Sequence, residues 1–113
     1  MTPTFEQFWK WLQEIEGLGG CLIKNLGGRG KFKINVSGNE GTCTPQSKGN
    51  CHPFTKDHAK QVWERFRKLP IDEKLMAGRY VDGERAHNFN PCPNRYCSPW
   101  IAAAIRDFLI SRI

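Results

Sequence analysis

The residues of this chain best suited to chemistry are its soft ligands and nucleophiles, five cysteines and three histidines. His87, Cys92 and Cys97 are each separated by four residues, and Cys43 and Cys51-His52 lie earlier in the chain. Sulfur and imidazole donors for a four-ligand structural zinc site can therefore be assembled on paper. The spacing is looser than a Cys-x2-Cys knuckle. A Cys92–Cys97 disulfide or free thiols account for the same residues, so no metal and no cofactor is assigned.

Nucleophilic catalysis needs a cysteine or serine beside a histidine and an orienting acid. Cys51-His52 and Asp57-His58 supply the types, but adjacent residues rarely aim both side chains at one point. His58 reads instead as the third residue of a helix, and His52 as a loop histidine. Asp72 and Glu73 suit a helix start, where the dipole favours acids, and Asp82 with Glu84 suit a turn. No catalytic signature emerges, and the expected function is not enzymatic.

Charge is the stronger pointer. Between Lys24 and Lys60 stand seven lysines and arginines against two acids. In Lys31-Phe32-Lys33-Ile34-Asn35-Val36 the polar and apolar residues alternate with the period of a strand. Such a strand buries Phe32, Ile34 and Val36 and turns Lys31 and Lys33 to the opposite face. Beside it lies Gly27-Gly28-Arg29-Gly30, which lacks the spacing and the following helix of a phosphate-binding loop and reads as a hairpin tip. Lys48, Lys56 and Lys60 extend the candidate set, because backbone N–H groups at a helix start attract phosphate. The expected nucleic-acid contacts are thus Arg29, Lys31, Lys33, Lys48, Lys56 and Lys60, the first five of them forming one surface. Phe32 points inward, so aromatic stacking on bases is poorly supplied and duplex backbone is favoured over single strands.

These cations depend on the elements that carry them. Thr4 and Gln7 form a capping box ahead of a first helix whose apolar stripe is Phe5, Phe8, Trp9, Leu12 and Ile15, ended by Gly17, Gly19 and Gly20. Trp11 lies off that stripe and is read as covering a second edge of the core. Strands are expected over Cys21–Leu26, Lys31–Val36 and Thr42–Thr44, with a turn at 37–41. The stretch from Pro45 to Pro53 is too rich in Pro, Gly, Ser and Asn to continue the last of these. A second helix starts at the N-cap Thr55, runs to Leu69 and is stopped by Pro70. A short helix over Asp72–Ala77 follows. From Arg79 to Cys97 no periodicity appears, and then Ser98 caps a final helix with Pro99 at its first position. The expected fold is α+β, a small antiparallel three-stranded sheet with helices packed on one face (α-β-β-β-α-α), as a single domain over 1–113.

At 113 residues and a net charge of +6, the chain is an ordinary small globular protein in composition, and basic enough to favour an acidic partner. No run approaches the ~18 apolar residues of a membrane span. The N-terminus, with Glu6, Glu14 and Glu16 in its apolar pattern, does not read as a signal peptide. An odd cysteine count argues against a complete disulfide framework. The expected location is cytoplasmic.

The order helix, three strands, helix through residue 69 resembles the double-stranded RNA-binding domain in topology, and Lys56 with Lys60 echoes the lysine-rich start of that family's second helix. A second resemblance spans roughly residues 31–109. Thr44-Pro45-x-Ser47-x-Gly49, a helix holding Arg65-Phe66, Gly78-x-Tyr80 and Ser98-Pro99-Trp100 together resemble small uncharacterised bacterial proteins found with mobile genes. It implies a compact accessory protein with a DNA-related role. The expectation is therefore a nucleic-acid-binding protein. Its rival is a protein-interaction module that docks on an acidic protein partner or self-associates, with or without a structural zinc.

Overall fold

A computed structural model describes residues 3–17, 22–26, 30–46, 51–76, 80 and 97–111. The elements follow in the order α1 (Phe5–Gly17), β1 (Leu22–Lys24), β2 (Lys31–Ser37), β3 (Glu40–Pro45), β4 (His52–Thr55), α2 (Lys56–Lys68), α3 (Ile71–Lys74) and α4 (Cys97–Ile110). The four strands form one antiparallel sheet in sequential order. Helix α1 packs on β2, α2 on β4, and α4 on β1 and β4, while α2 and α4 pack on each other. The chain is thus α+β, with helices laid against one face of a sheet.

The sheet has four strands rather than the expected three. His52-Pro53-Phe54-Thr55 pairs with Glu40–Cys43, with Thr42 opposite Pro53 and Gly41 opposite Phe54. Proline content suggested a loop here, but β4 is an edge strand. Just past its end, the Lys56 N–H of α2 donates to the Asn39 carbonyl at 2.8 Å. Antiparallel pairs alternate in type, so Pro53 falls where the backbone faces away from β3 and a missing N–H costs no ladder bond.

Local chemistry sets most element starts. Thr4 N–H donates to Gln7 Oε1 at 2.9 Å and Gln7 N–H donates to Thr4 Oγ1 at 3.2 Å, so the capping box at α1 is reciprocal. Thr55 Oγ1 accepts from His58 N–H at 3.1 Å and caps α2. Helix α2 ends at Lys68, just before Leu69-Pro70. The short helix begins at Ile71 and ends at Lys74, earlier than Asp72–Ala77. Helix α4 begins at Cys97, so Ser98 lies inside its first turn instead of capping it. That hydroxyl is fully buried and lies 2.7 Å from His58 Nε2.

The core is an aromatic seam between the helices and the inner sheet face. Phe8 stacks on Trp63 with centroids 5.4 Å apart, and Phe108 closes on Phe8 at 5.5 Å. Phe32 of β2 stacks on Trp100 of α4 at 5.7 Å. Trp11 is half-buried and packs against Phe108 at 5.5 Å, which makes it an edge of the core. Trp9 Nε1–H donates to the Gly38 carbonyl at 3.1 Å and ties α1 to the β2–β3 turn. Gly38 has φ +61°, the left-handed region where a side chain would be strained. Gly41 is required for another reason. A Cβ there would stand 2.4 Å from the Phe54 ring, which fills the space above it.

Arg106 of α4 reaches the β1 margin of the sheet. Its Nη2 donates to the Lys24 carbonyl at 2.6 Å and its Nη1 to the Asn25 carbonyl at 3.4 Å. On the β4 margin, the Cys97 thiol donates to the carbonyls of His52 at 3.3 Å and Pro53 at 3.5 Å.

Candidate nucleic-acid interface

Strand alternation divides the sheet into two faces with opposite chemistry. Ile23, Phe32, Ile34, Val36, Cys43 and Phe54 face the helices and are buried. Leu22, Lys24, Lys31, Lys33, Pro53 and Thr55 face outward and are exposed. Helices α1, α2 and α4 lie on the inner side, and the outward lysines are open to solvent.

Register brings the cations of this face together. Lys24 pairs with Lys31 across β1 and β2, and Lys33 pairs with Leu22 on one side and Thr44 on the other. The Asn25 N–H donates to the Gly30 carbonyl at 3.1 Å, so the next pair inward, Lys24–Lys31, is of the non-hydrogen-bonded type. In such pairs the Cα atoms come within ~4.5 Å and the side chains are at their closest. Lys33 follows Lys31 by two residues, or about 6.6 Å along the strand. Among the described residues, none of the three lysines has an ion-pair partner. Next to them the same face carries Asn35 opposite Thr42, and Thr42 opposite Pro53. These residues line a shallow open concavity of about 530 Å³ that runs toward Ser37, Glu40 and Thr55. Glu40 is the acid at the far end of that face.

Of the five cations expected on one surface, Lys31, Lys33 and Lys56 are described, and these three do not share one. Lys31 and Lys33 are brought together, with Lys24 beside them. Lys56 lies at the opposite end of the sheet, roughly 20 Å away along β2 given six residues of rise. It also belongs to the helical layer, where its Nζ pairs with Glu6 Oε2 at 3.3 Å and sits 5.8 Å from the Trp9 ring centroid. Lys60 is exposed on α2, in that same layer. Arg29 and Lys48 lie outside the described residues. Lys24 is missing from the expected set. Its strand is only three residues long and shows no alternation that would assign it a face, and only the pairing with Lys31 does so.

The other candidate chemistries are distributed as follows. His87 and Cys92, and with them most of the Arg79–Cys97 segment, lie outside the described residues. No cluster of three metal-ligating side chains occurs among the described ones. Cys43, Cys51 and Cys97 are free thiols. Burial pushes the Cys43 thiol well above its ordinary value, and a hydrogen bond with Cys97 adds to this, so it is a poor nucleophile. Burial likewise raises the Tyr80 phenol, opposed by Arg65 and reinforced by Glu73. His58 and Ser98 form a buried pair. No described helix is long and apolar enough to cross a membrane.

No family model matches the chain, and neither does any curated protein or solved structure.

Proposed function

We propose that this protein binds the phosphate backbone of a nucleic-acid duplex through the outer face of its sheet, with Lys24, Lys31 and Lys33 as the contacts and no catalysis of its own. The observation that carries this reading is the Lys24–Lys31 pair. Like charges directly opposite in an antiparallel pair destabilise a sheet by a few tenths of a kcal/mol to about 1 kcal/mol. A third lysine adds to that repulsion, and the one acid on the neighbouring strands, Glu40 of β3, stands at the far end of the face. An anion laid across the face removes the repulsion. Phosphate is the anion that such a flat, uncovered row of point charges suits, because lysine binds it without demanding a particular plane.

The choice of duplex follows from what surrounds the lysines. The outward residues of the four strands include no aromatic ring, whereas proteins that grip single strands stack bases on aromatic side chains. Asn35, Thr42 and Thr44 offer neutral polar groups beside the cations, which suits sugar and phosphate oxygens. Binding of this kind reads little sequence. Free cysteines fit a reducing, cytoplasmic setting, and a small basic accessory protein fits the resemblance to proteins found with mobile genes.

The test is a fluorescence-anisotropy titration of a labelled ~20-base-pair duplex against the wild-type chain and a Lys24→Glu/Lys31→Glu/Lys33→Glu variant. Loss of binding in a variant that keeps its circular dichroism supports the reading. Unchanged binding ends it.

A further inference from the structure

The helical layer carries a second surface that the sheet face does not use. Trp63 and Phe66 of α2 and Ile105 and Leu109 of α4 floor a groove of about 240 Å³, and Arg67 and Lys74 stand on its rim. Among the described residues Pro3 also lines it, and no strand residue and no acid does. The Lys74 ammonium lies 5.3 Å from the Phe66 ring centroid, and the Arg67 side chain is 54% exposed, its Nη1 4.0 Å from Glu64 Oε1 in a surface pair that leaves its other donors for a further carboxylate. Helices α3 and α4 and the segment after α3 also carry apolar side chains that face solvent: Ile71 is 83% exposed, Leu75 50%, Met76 53% and Ile110 59%. Among the described residues these are four of the five large hydrophobic side chains left exposed. An apolar depression, in segments that also leave large apolar side chains in solvent, is the kind of surface that interaction sites use.

We infer that this groove docks an amphipathic helix of a partner protein, with apolar side chains in the groove and acids against Arg67 and Lys74. The volume takes two leucine-sized side chains, which is the anchor pattern of a helix laid in a groove with residues at i and i+3 or i+4. Charge decides between occupants. A second copy docked through the same patch about a two-fold axis brings two cationic rims together, and such like-charge juxtaposition opposes association. A nucleic acid has no use for the apolar floor. A partner helix with an acidic flank satisfies floor and rim at once. The groove and the lysine-bearing sheet face lie on separate layers, so one protein can hold a duplex and a partner together.

The probe is a fluorescein-labelled 16-residue peptide with leucines at i, i+3, i+4 and i+7 and glutamates elsewhere, titrated against the full chain. A peptide with lysines in place of the glutamates is the control. The expected result is binding of the acidic peptide at least tenfold tighter than the basic one, with Arg67→Glu/Lys74→Glu reversing that preference. Ile71→Ser, at an exposed position that folding does not need, weakens the acidic peptide several-fold. The Lys24→Glu/Lys31→Glu/Lys33→Glu variant leaves peptide binding unchanged, which separates this site from the duplex-binding face. Equal binding of the two peptides overturns the inference, as does no binding of the acidic peptide at ~1 mM. Two further results also overturn it: a dimer in sedimentation that Ile71→Ser/Ile110→Ser dissolves, which makes the occupant a second copy, and pelleting with phosphatidylserine vesicles that the same variant abolishes, which makes it a membrane.

Discussion

Lys24 and Lys31 oppose each other in a non-hydrogen-bonded pair of an antiparallel sheet, the arrangement that brings two side chains closest. Replacing one partner should therefore act in opposite directions on stability and on binding. Lys31→Thr is expected to raise the melting temperature at low salt, by an amount matching ~0.2–1 kcal/mol, and to weaken duplex binding. Thermal melts at ~20 mM salt beside anisotropy titrations check both effects. A variant that loses stability as well as binding would show that Lys31 has a structural role instead.

Three phosphate contacts fix a salt response. With about 0.9 counterions released per contact on duplex DNA, the logarithm of the affinity should fall with a slope near −2.7 against the logarithm of salt. Between ~50 and ~200 mM salt the affinity then drops about 40-fold. Removing one lysine should shallow the slope by about one unit. A slope near zero excludes the lysine face as the binding surface.

At Gly41 the constraint is steric. An added methyl group meets the Phe54 ring at 2.4 Å, and the ring is held by Trp9 at 6.2 Å between centroids. Gly41→Ala should cost about 1–3 kcal/mol in denaturant unfolding. Because the clash is with one side chain, the cost should be largely absent when Phe54→Leu is already present, and a double-mutant cycle measures that coupling.

His58 and Ser98 form a polar contact inside an otherwise apolar core. Ser98→Ala leaves the His58 ring nitrogen buried without this partner and should cost about 1–3 kcal/mol. The same change made in a His58→Leu background should cost much less, since the nitrogen is then absent. Chemical denaturation of the four proteins decides between a coupled pair and two independent residues.

Alkali should weaken the fold. Cys43 and Tyr80 ionise less readily folded than unfolded, so the folded chain holds protons that the unfolded chain releases. The stability from both groups is whole below their ordinary values of 9.0 and 10.0 and drains away as pH rises above them. Melting temperature should be level from pH 7 to about 8.5 and then fall. Cys43→Ala with Tyr80→Phe should flatten the alkaline fall, and an unchanged fall would assign it to other groups.

Where local chemistry decides the structure, the residues announce it. Thr4 with Gln7, Thr55 ahead of Lys56, and the alternation from Lys31 to Val36 are each legible without coordinates, because caps and period-two patterns act over a few residues. The fourth strand is not legible. Pro53 reads as a breaker until β3 is seen to pair on one side of it alone. Ser98 reads as a cap because its type and the following Pro99 suit one, and its burial against His58 depends on how α2 and α4 meet. The site follows the same division. Lys31 and Lys33 are predictable from their own strand, but Lys24 joins them through register and Lys56 leaves them through tertiary packing, which local pattern does not encode.

Arg106 and Pro53 finish the sheet at its two margins. On one side a guanidinium occupies the outward carbonyl of Lys24, where an incoming strand would donate, and reaches the Asn25 carbonyl beyond it. On the other, a ring replaces the hydrogen such a strand would need, and a thiol engages the neighbouring carbonyls. At these positions both borders are blunted against pairing with further chain.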